Sequence, residues 1–453
     1  MNVGPATQID TPGNRVAFFA SALTLVMLAL VLGGASQGNP LGLMVVELAG
    51  VAALIPSLLQ MPKRTFSPFA LVAFAILVGL MAIPMLQLAP LPPGLWRVLP
   101  GRAPLVQAVT LIGLPDQWRP MSLAPDQTER AALYLLAPVG MFLAAVQCDG
   151  RQRAWLASAV LAISLLSLAA GAVQVAGGSA ERLKFYSNSA TGLPTGFFAN
   201  RNHQAALMIC ALVLTPGLCQ AWPSSLSQRP SIALIPMLLF AVGAAATLSR
   251  AGLLMLAPAL VAAVAILQAP QAGQNAGVQN RALLLTLMLS IGGGAAVVAL
   301  KGGAIFDRFE NGEAGGGRLS LLPRVIALGK TLQPWGGGVG SFDLAYRAVE
   351  PLQQIDPFYL NHVHNDYIEA WLEAGWPALA LFIGFGLWWI RSTIRAWRSR
   401  GALACSGTLM TAALLLHSAV DYPLRTPALA VVFALGCALM TPPPRGKTSR
   451  RAE

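Results

Sequence analysis

About twelve stretches of this chain are apolar for long enough to cross a lipid bilayer, and nothing else in it constrains the fold as much. They run near 16–35, 41–60, 69–89, 130–147, 154–177, 203–221, 231–249, 251–268, 282–300, 369–390, 402–420 and 426–441. In lipid every backbone polar group needs an internal partner, so such stretches become helices that pack on one another. The expected fold is therefore an all-α polytopic membrane protein, a single membrane domain over 1–453. Its longest polar loop, 301–368, separates the ninth and tenth spans. Composition agrees, because only 11% of residues are charged, against about 25% in a soluble domain. The first stretch starts late, lacks a clear small-residue cleavage site and is followed by further spans, so it does not read as a secretory signal.

Basic residues set the orientation. Lys63 and Arg64, Arg151 and Arg153, the run Arg391 to Arg400, and Arg445 to Arg451 all fall on one side if the N-terminus is inside. Both termini are then cytoplasmic, and loops 90–129, 178–202 and 301–368 face outward. The net charge of +12 is in part this topology signal, and its short clusters argue against nucleic acid as a partner. All five cysteines lie in spans or on the inner side, so the outer loops carry no disulfide framework.

Chemistry concentrates at the end of the longest loop, in His362-Val363-His364-Asn365-Asp366-Tyr367-Ile368-Glu369 and on to Glu373 and Gly375. Polar groups at a lipid boundary are costly and tend to mark function. Asp366-x-x-Glu369 has the spacing of a capping box, with Asp366 as N-cap and Glu369 at the third helical position. Asp366, Glu369 and Glu373 would share one helical face. Gly375-Trp376-Pro377 should kink the helix. His364 would sit just before a helix N-terminus, which disfavours imidazolium and leaves a neutral base. Upstream, Pro334-Trp335-Gly336-Gly337-Gly338 reads as a loop whose backbone N–H groups approach a ligand.

Three arginines map to the same face. Arg201 stands in Gly196-Phe197-Phe198-Ala199-Asn200-Arg201-Asn202-His203, Arg250 at the junction of the seventh and eighth spans, and Arg318 in the large loop before a helical segment interrupted by Pro323. Arginine binds phosphate oxygens bidentately and stays charged. Any one of them read alone is more simply a snorkelling or helix-end residue. His203 reads equally as an interfacial anchor for Asn200 and Asn202, and His417 as a hydrogen-bond donor to a neighbouring span. His362-x-His364-x-Asp366 also has the spacing of a metal cluster but needs further ligands.

These pieces together resemble the O-antigen ligase and polymerase superfamily of bacterial membrane proteins. The matching residues are Gly196 to His203, Ser249-Arg250, Arg318 with Pro334 to Phe342, His364-Asn365-Asp366-Tyr367 to Gly375, and His417-Ser418-Ala419-Val420-Asp421-Tyr422-Pro423, covering about 190–425. The resemblance implies packed inner-membrane helices under a periplasmic loop over a lipid-facing cavity. It implies an undecaprenyl-diphosphate-linked oligosaccharide donor, and as acceptor either another lipid-linked repeat or the lipid A-core sugar. It carries over Arg201, Arg250, Arg318 and His364 as functional positions; His364 and Arg318 are expected to be catalytic, Arg201 and Arg250 together with Asn200, Asn202 and Asn365 to bind substrate, and His362, Asp366, Glu369 and His203 to stand as candidates for support. No cofactor and no metal are expected. The chemistry of the residues agrees: arginines would neutralise a diphosphate leaving group, while His364 deprotonates an acceptor hydroxyl in a single inverting displacement. Two other classes compete, a secondary transporter and a metal-dependent hydrolase resting on the His-x-His-x-Asp spacing.

Overall fold

A computed structural model describes residues 12–36, 38–61, 65–176, 183–187, 189, 192–222, 230–267, 316–352 and 360–444. The long helices are α1 (Pro12–Leu32), α2 (Pro40–Gln60) and α3 (Pro68–Leu88). A short helix, α4 (Ala103–Leu111), precedes α5 (Pro125–Tyr134), α6 (Leu136–Gln147), α7 (Gly150–Ala176) and α8 (Arg201–Ala221). Then come α9 (Leu234–Ala246), α10 (Arg250–Leu267), α11 (Gly316–Thr331), α12 (Phe342–Arg347), α13 (Asp366–Arg398), α14 (Ala402–Ser418) and α15 (Pro427–Leu439). Local sequence sets several starts. Asn39 and Ser67 accept a hydrogen bond from the backbone N–H of Gly42 and Ala70, and Pro40 and Pro68 follow them.

Among the described residues seven helices are long and apolar enough to cross a membrane, α5 and α6 counting as one, and four more are apolar but shorter. These eleven coincide with eleven of the twelve apolar stretches. The remaining stretch, 282–300, lies outside the described residues, as do 301–315 and 353–359 of the long loop. The all-α expectation has one small exception. Strands β1 (Pro90–Leu91) and β2 (Arg119–Pro120) pair antiparallel within the segment between α3 and α5.

Helix α8 is the central post: 83% of its apolar window is buried, against 17% for α3, which keeps most of its surface for lipid. Helices α2 and α6 cross where Gly50 meets Ala137 and Gly140 meets the Gly50 carbonyl, contacts a Cβ would block. Such close approach is how helices associate where lipid is as apolar as leucine.

The helices share two ends. At one, Ala199 N–H donates to the Gly34 carbonyl (3.1 Å), Ala428 N–H to the Gly33 carbonyl (3.0 Å) and Tyr134 Oη to the Leu424 carbonyl (2.7 Å). At the other, buried Arg153 donates to the Thr441 carbonyl (2.6 Å), Gln220 to the Ile266 carbonyl (2.6 Å) and Arg395 to the Met440 carbonyl. The polar residues singled out in the sequence gather at the first end.

Candidate active site

The turn 419–426 between α14 and α15 carries Asp421, which is 1% exposed. Its Oδ1 lies 2.9 Å from His364 Nδ1 and accepts the Tyr422 N–H at 3.0 Å, and its Oδ2 accepts Asn202 Nδ2 at 2.6 Å. An ionised carboxylate only accepts, so His364 Nδ1 carries the proton and Nε2 the lone pair. Burial works to raise the Asp421 carboxyl, but the His364 hydrogen bond and the surrounding histidines outweigh it and hold it well below the usual carboxylate range.

Tyr422 is the hub of the imidazoles. Its ring centroid lies 4.8 Å from that of His364, 4.4 Å from His362 and 5.1 Å from His203. His203 is a buried residue, not an interfacial anchor: it is 2% exposed, and its Nδ1 pairs with Thr426 Oγ1 at 2.9 Å. The expectation for His417 is corrected too. It is fully buried, and neither ring nitrogen has a hydrogen-bond partner among the described residues; Nε2 stands 4.0 Å from Asp421 Oδ2. All four histidines therefore belong to one cluster, in which His364, its Nδ1 fixed on Asp421, keeps 14% of its side chain exposed.

A second network lies beside the first. Asp366, Glu369 and Glu373 do share one face of α13, and all three converge on Arg425, at 3.7, 3.5 and 2.8 Å. Burial disfavours the Arg425 cation, but the three carboxylates outweigh that and raise its pKa. The capping box is not formed. Asn365 is the N-cap, its Oδ1 accepting from Tyr367 N–H (3.1 Å) and Ile368 N–H (3.0 Å), so Asp366 is the first helical residue. Asp366 instead accepts from Ser418 Oγ (2.8 Å), and Glu369 reaches back to Val363 N–H (2.7 Å) and His362 Nδ1 (2.7 Å). His364 has φ +58°, a left-handed state that costs a non-glycine residue about 1–3 kcal/mol unless its surroundings hold it.

The glycine loop serves a different purpose from the expected one. Gly337 and Gly338 N–H groups donate to the Leu372 (3.0 Å) and Glu373 (2.8 Å) carbonyls of α13, not toward an open space. Gly375 has φ 62°, ψ −144° and breaks α13 as Gly375-Trp376-Pro377 suggested. That break frees the carbonyls the loop binds. A Cβ on Gly336 would strike the Glu373 carbonyl, and one on Gly375 the Pro334 carbonyl. Arg102 ties the outer hairpin to the same loop through the Gly336 carbonyl (3.2 Å). Burial lowers its pKa to about 10.

The arginines are placed by their helices. Arg201 opens α8 directly beside Asn202, and the preceding loop is pinned to α7 by Gln174, which accepts from Thr195 and Gly196 N–H at 2.9 Å each. Arg250 opens α10, whose start packs on α8 where Gly252 meets Ala205. The N-termini of α8, α10, α13 and α15 thus come to one end, and helix N-termini favour anions. Arg318 lies in the first turn of α11, where the structure describes the backbone alone; α11 runs unbroken through Pro323. The three asparagines support the walls: Asn200 Oδ1 accepts from Asn202 N–H, Asn202 holds Asp421, and Asn365 Nδ2 donates to the Ala419 carbonyl (2.8 Å). The metal spacing does not converge, since His362, His364 and Asp366 turn to Glu369, Asp421 and Ser418 in turn. Beside the Arg425 network opens a cavity of about 490 Å³, polar at Asp366, Glu373 and Arg425 and apolar along Leu80, Phe382 and Phe433.

The sequence patterns above give no role to Arg425, Tyr422, Asp421 or Glu373. A lone arginine in a short turn between two apolar stretches was a readable signal for Arg425. The partners of Asp421 lie 57 and 219 positions away in sequence and were not readable.

Residues 235–383, about a third of the chain, match the family described as O-antigen ligase. They contain Arg250, Arg318, His362, His364, Asp366 and Glu369, and not Arg201, Asp421 or Arg425. The match supports the O-antigen ligase and polymerase superfamily, the resemblance read from the motifs. A search of the curated proteins gave no match.

Proposed function

We propose, with the O-antigen ligase match as premise, that this chain is a membrane glycosyltransferase that moves or polymerises undecaprenyl-diphosphate-linked glycan at the periplasmic face of the bacterial inner membrane. The observation that carries the reading is the 2.9 Å contact between His364 Nδ1 and buried Asp421. A carboxylate that fixes one imidazole nitrogen as donor makes the other a base, and it stabilises the imidazolium that forms. In the proposed reaction His364 Nε2 takes the proton of an acceptor hydroxyl as its oxygen attacks the anomeric carbon. The bond from that carbon to the diphosphate oxygen breaks with inversion. Arg201 and Arg250, at two converging helix N-termini, receive the developing diphosphate charge. That assignment needs no metal for charge neutralisation. Arg318 is assigned to the same task by motif position. The apolar cavity along α13 suits the chain of a lipid-linked substrate. The charged cluster sits at helix ends, whereas a transporter holds its site near the bilayer midplane.

The test is complementation of a strain deleted for the gene by His364→Ala, with surface and secreted polysaccharide resolved by chain length and insertion of the variant verified. Loss of long chains with single lipid-linked repeats accumulating identifies a polymerase. Long lipid-linked chains that fail to reach lipid A identify a ligase. Wild-type polysaccharide from the variant removes His364 as the base.

A further inference from the structure

Glu369 is 1% exposed and commits both carboxylate oxygens to the two residues that precede His364. Oε1 lies 2.7 Å from His362 Nδ1, and Oε2 accepts the Val363 N–H at 2.7 Å. Acids in a first helical turn ordinarily serve that turn's own N–H groups or its dipole. Here Asn365 has taken the capping task, so the carboxylate is free to reach out of the helix. Arg425 Nη1, 3.5 Å from Oε1, compensates its charge. On the other side of His364, Asn365 is fixed to the Ala419 carbonyl at 2.8 Å. The left-handed residue is thus held at both flanks, by Glu369 behind and Asn365 ahead. His362 Nε2 is buried with no hydrogen-bond partner among the described residues, which makes His362 a strut against Tyr422 and not a second base.

We propose that Glu369 is a positioning residue: its carboxylate clamps residues 362–363 so that His364 stays in its left-handed backbone state with Nε2 aimed at the acceptor hydroxyl. This rests on His364 acting as the base. The clamp is geometric, so length matters more than charge. Glu369→Asp is one methylene too short to reach both partners. Glu369→Gln keeps an oxygen for Val363 N–H and an N–H for the other tautomer of His362.

The experiment measures kcat and KM in vesicles of purified protein, with lipid-linked glycan extracted from a strain lacking the gene as the probe. The unfolding temperature and the yield of monodisperse protein are recorded alongside. Glu369→Asp is expected to lose on the order of 10–100-fold in kcat with KM within about threefold, the scale of a reacting group misplaced by roughly 1 Å. Glu369→Gln is expected within about threefold of wild type. Wild-type kcat in Glu369→Asp, a loss confined to KM, or a Gln variant as poor as Asp overturns the clamp. If Glu369→Asp is not inserted, His362→Phe removes one arm of the clamp and keeps a ring against Tyr422; an unchanged kcat there overturns the proposal equally. His364→Ala separates the two readings. Activity in that variant removes the base itself, whereas an inactive His364→Ala beside an unaffected Glu369→Asp keeps the base and removes only the clamp.

Discussion

A histidine becomes a directional base only when something decides which nitrogen holds the proton, and here that is Asp421. Asp421→Asn keeps the shape but offers an N–H or a weaker acceptor, so His364 can present the wrong tautomer. We expect kcat to fall roughly 10²–10⁴-fold with little change in the folded yield, measured on lipid-linked glycan in vesicles. The same carboxylate sets a pH response of stability. Asp421 has a folded pKa below its unfolded one, so its contribution is full above the unfolded value and is lost only as pH falls through the folded value. Acidification from about pH 7 to about pH 5 therefore removes none of that contribution, and the unfolding temperature of the purified protein is expected to show no loss from this group over that interval. Among single residues, His364 and the arginines stand out in the sequence because each is a rare polar group beside an apolar stretch. Asp421 looked like an ordinary turn residue, and only its neighbours give it a role.

At the scale of elements, the start of α13 is a joint between three segments. Its first turn meets the 419–426 turn through Arg425, and its break at Gly375 exposes carbonyls that the glycine loop binds. The motif signals were correct as to place and wrong as to task. Glycines that looked ready to cradle a ligand instead let two backbones meet, and the acids that looked like a capping box bind an arginine and a preceding loop. Gly375→Ala is expected to destabilise the protein by about 1–3 kcal/mol, from the strain of a positive φ with the Pro334 carbonyl in its path. A Cβ at Gly384, farther along the same helix, meets nothing within 4 Å. Gly384→Ala is therefore expected to be neutral or to stabilise by about 0.5–1 kcal/mol. Thermal unfolding of the two purified variants checks the pair, and equal behaviour would remove the joint.

For the whole molecule, the two helix ends predict sidedness. Leu111, at the end of α4, is 87% exposed and lies toward the site end, while Arg151 is exposed at the other. A cysteine at 111 should react with a membrane-impermeant maleimide in intact spheroplasts, and a cysteine at 151 only after permeabilisation. The native cysteines at 148, 210, 405 and 437 are buried and Cys219 is half-buried, so labelling of the unsubstituted chain sets the background. The reverse pattern would put the site in the cytoplasm and remove a periplasmic reaction.

By itself the sequence determined the helical class, the run of apolar stretches and which rare polar residues stand beside them. Those follow from local physics: the cost of a bare peptide in lipid, the side preference of basic residues and the rarity of charge near apolar helices. Only the tertiary structure decided which polar groups touch. His364 meets Asp421 across 57 residues, and Asn202 meets it across 219. Such pairings depend on how the helices stack around α8. No spacing along the chain encodes that, because it is set by small residues such as Gly217 and Gly252 that let neighbouring helices close on α8.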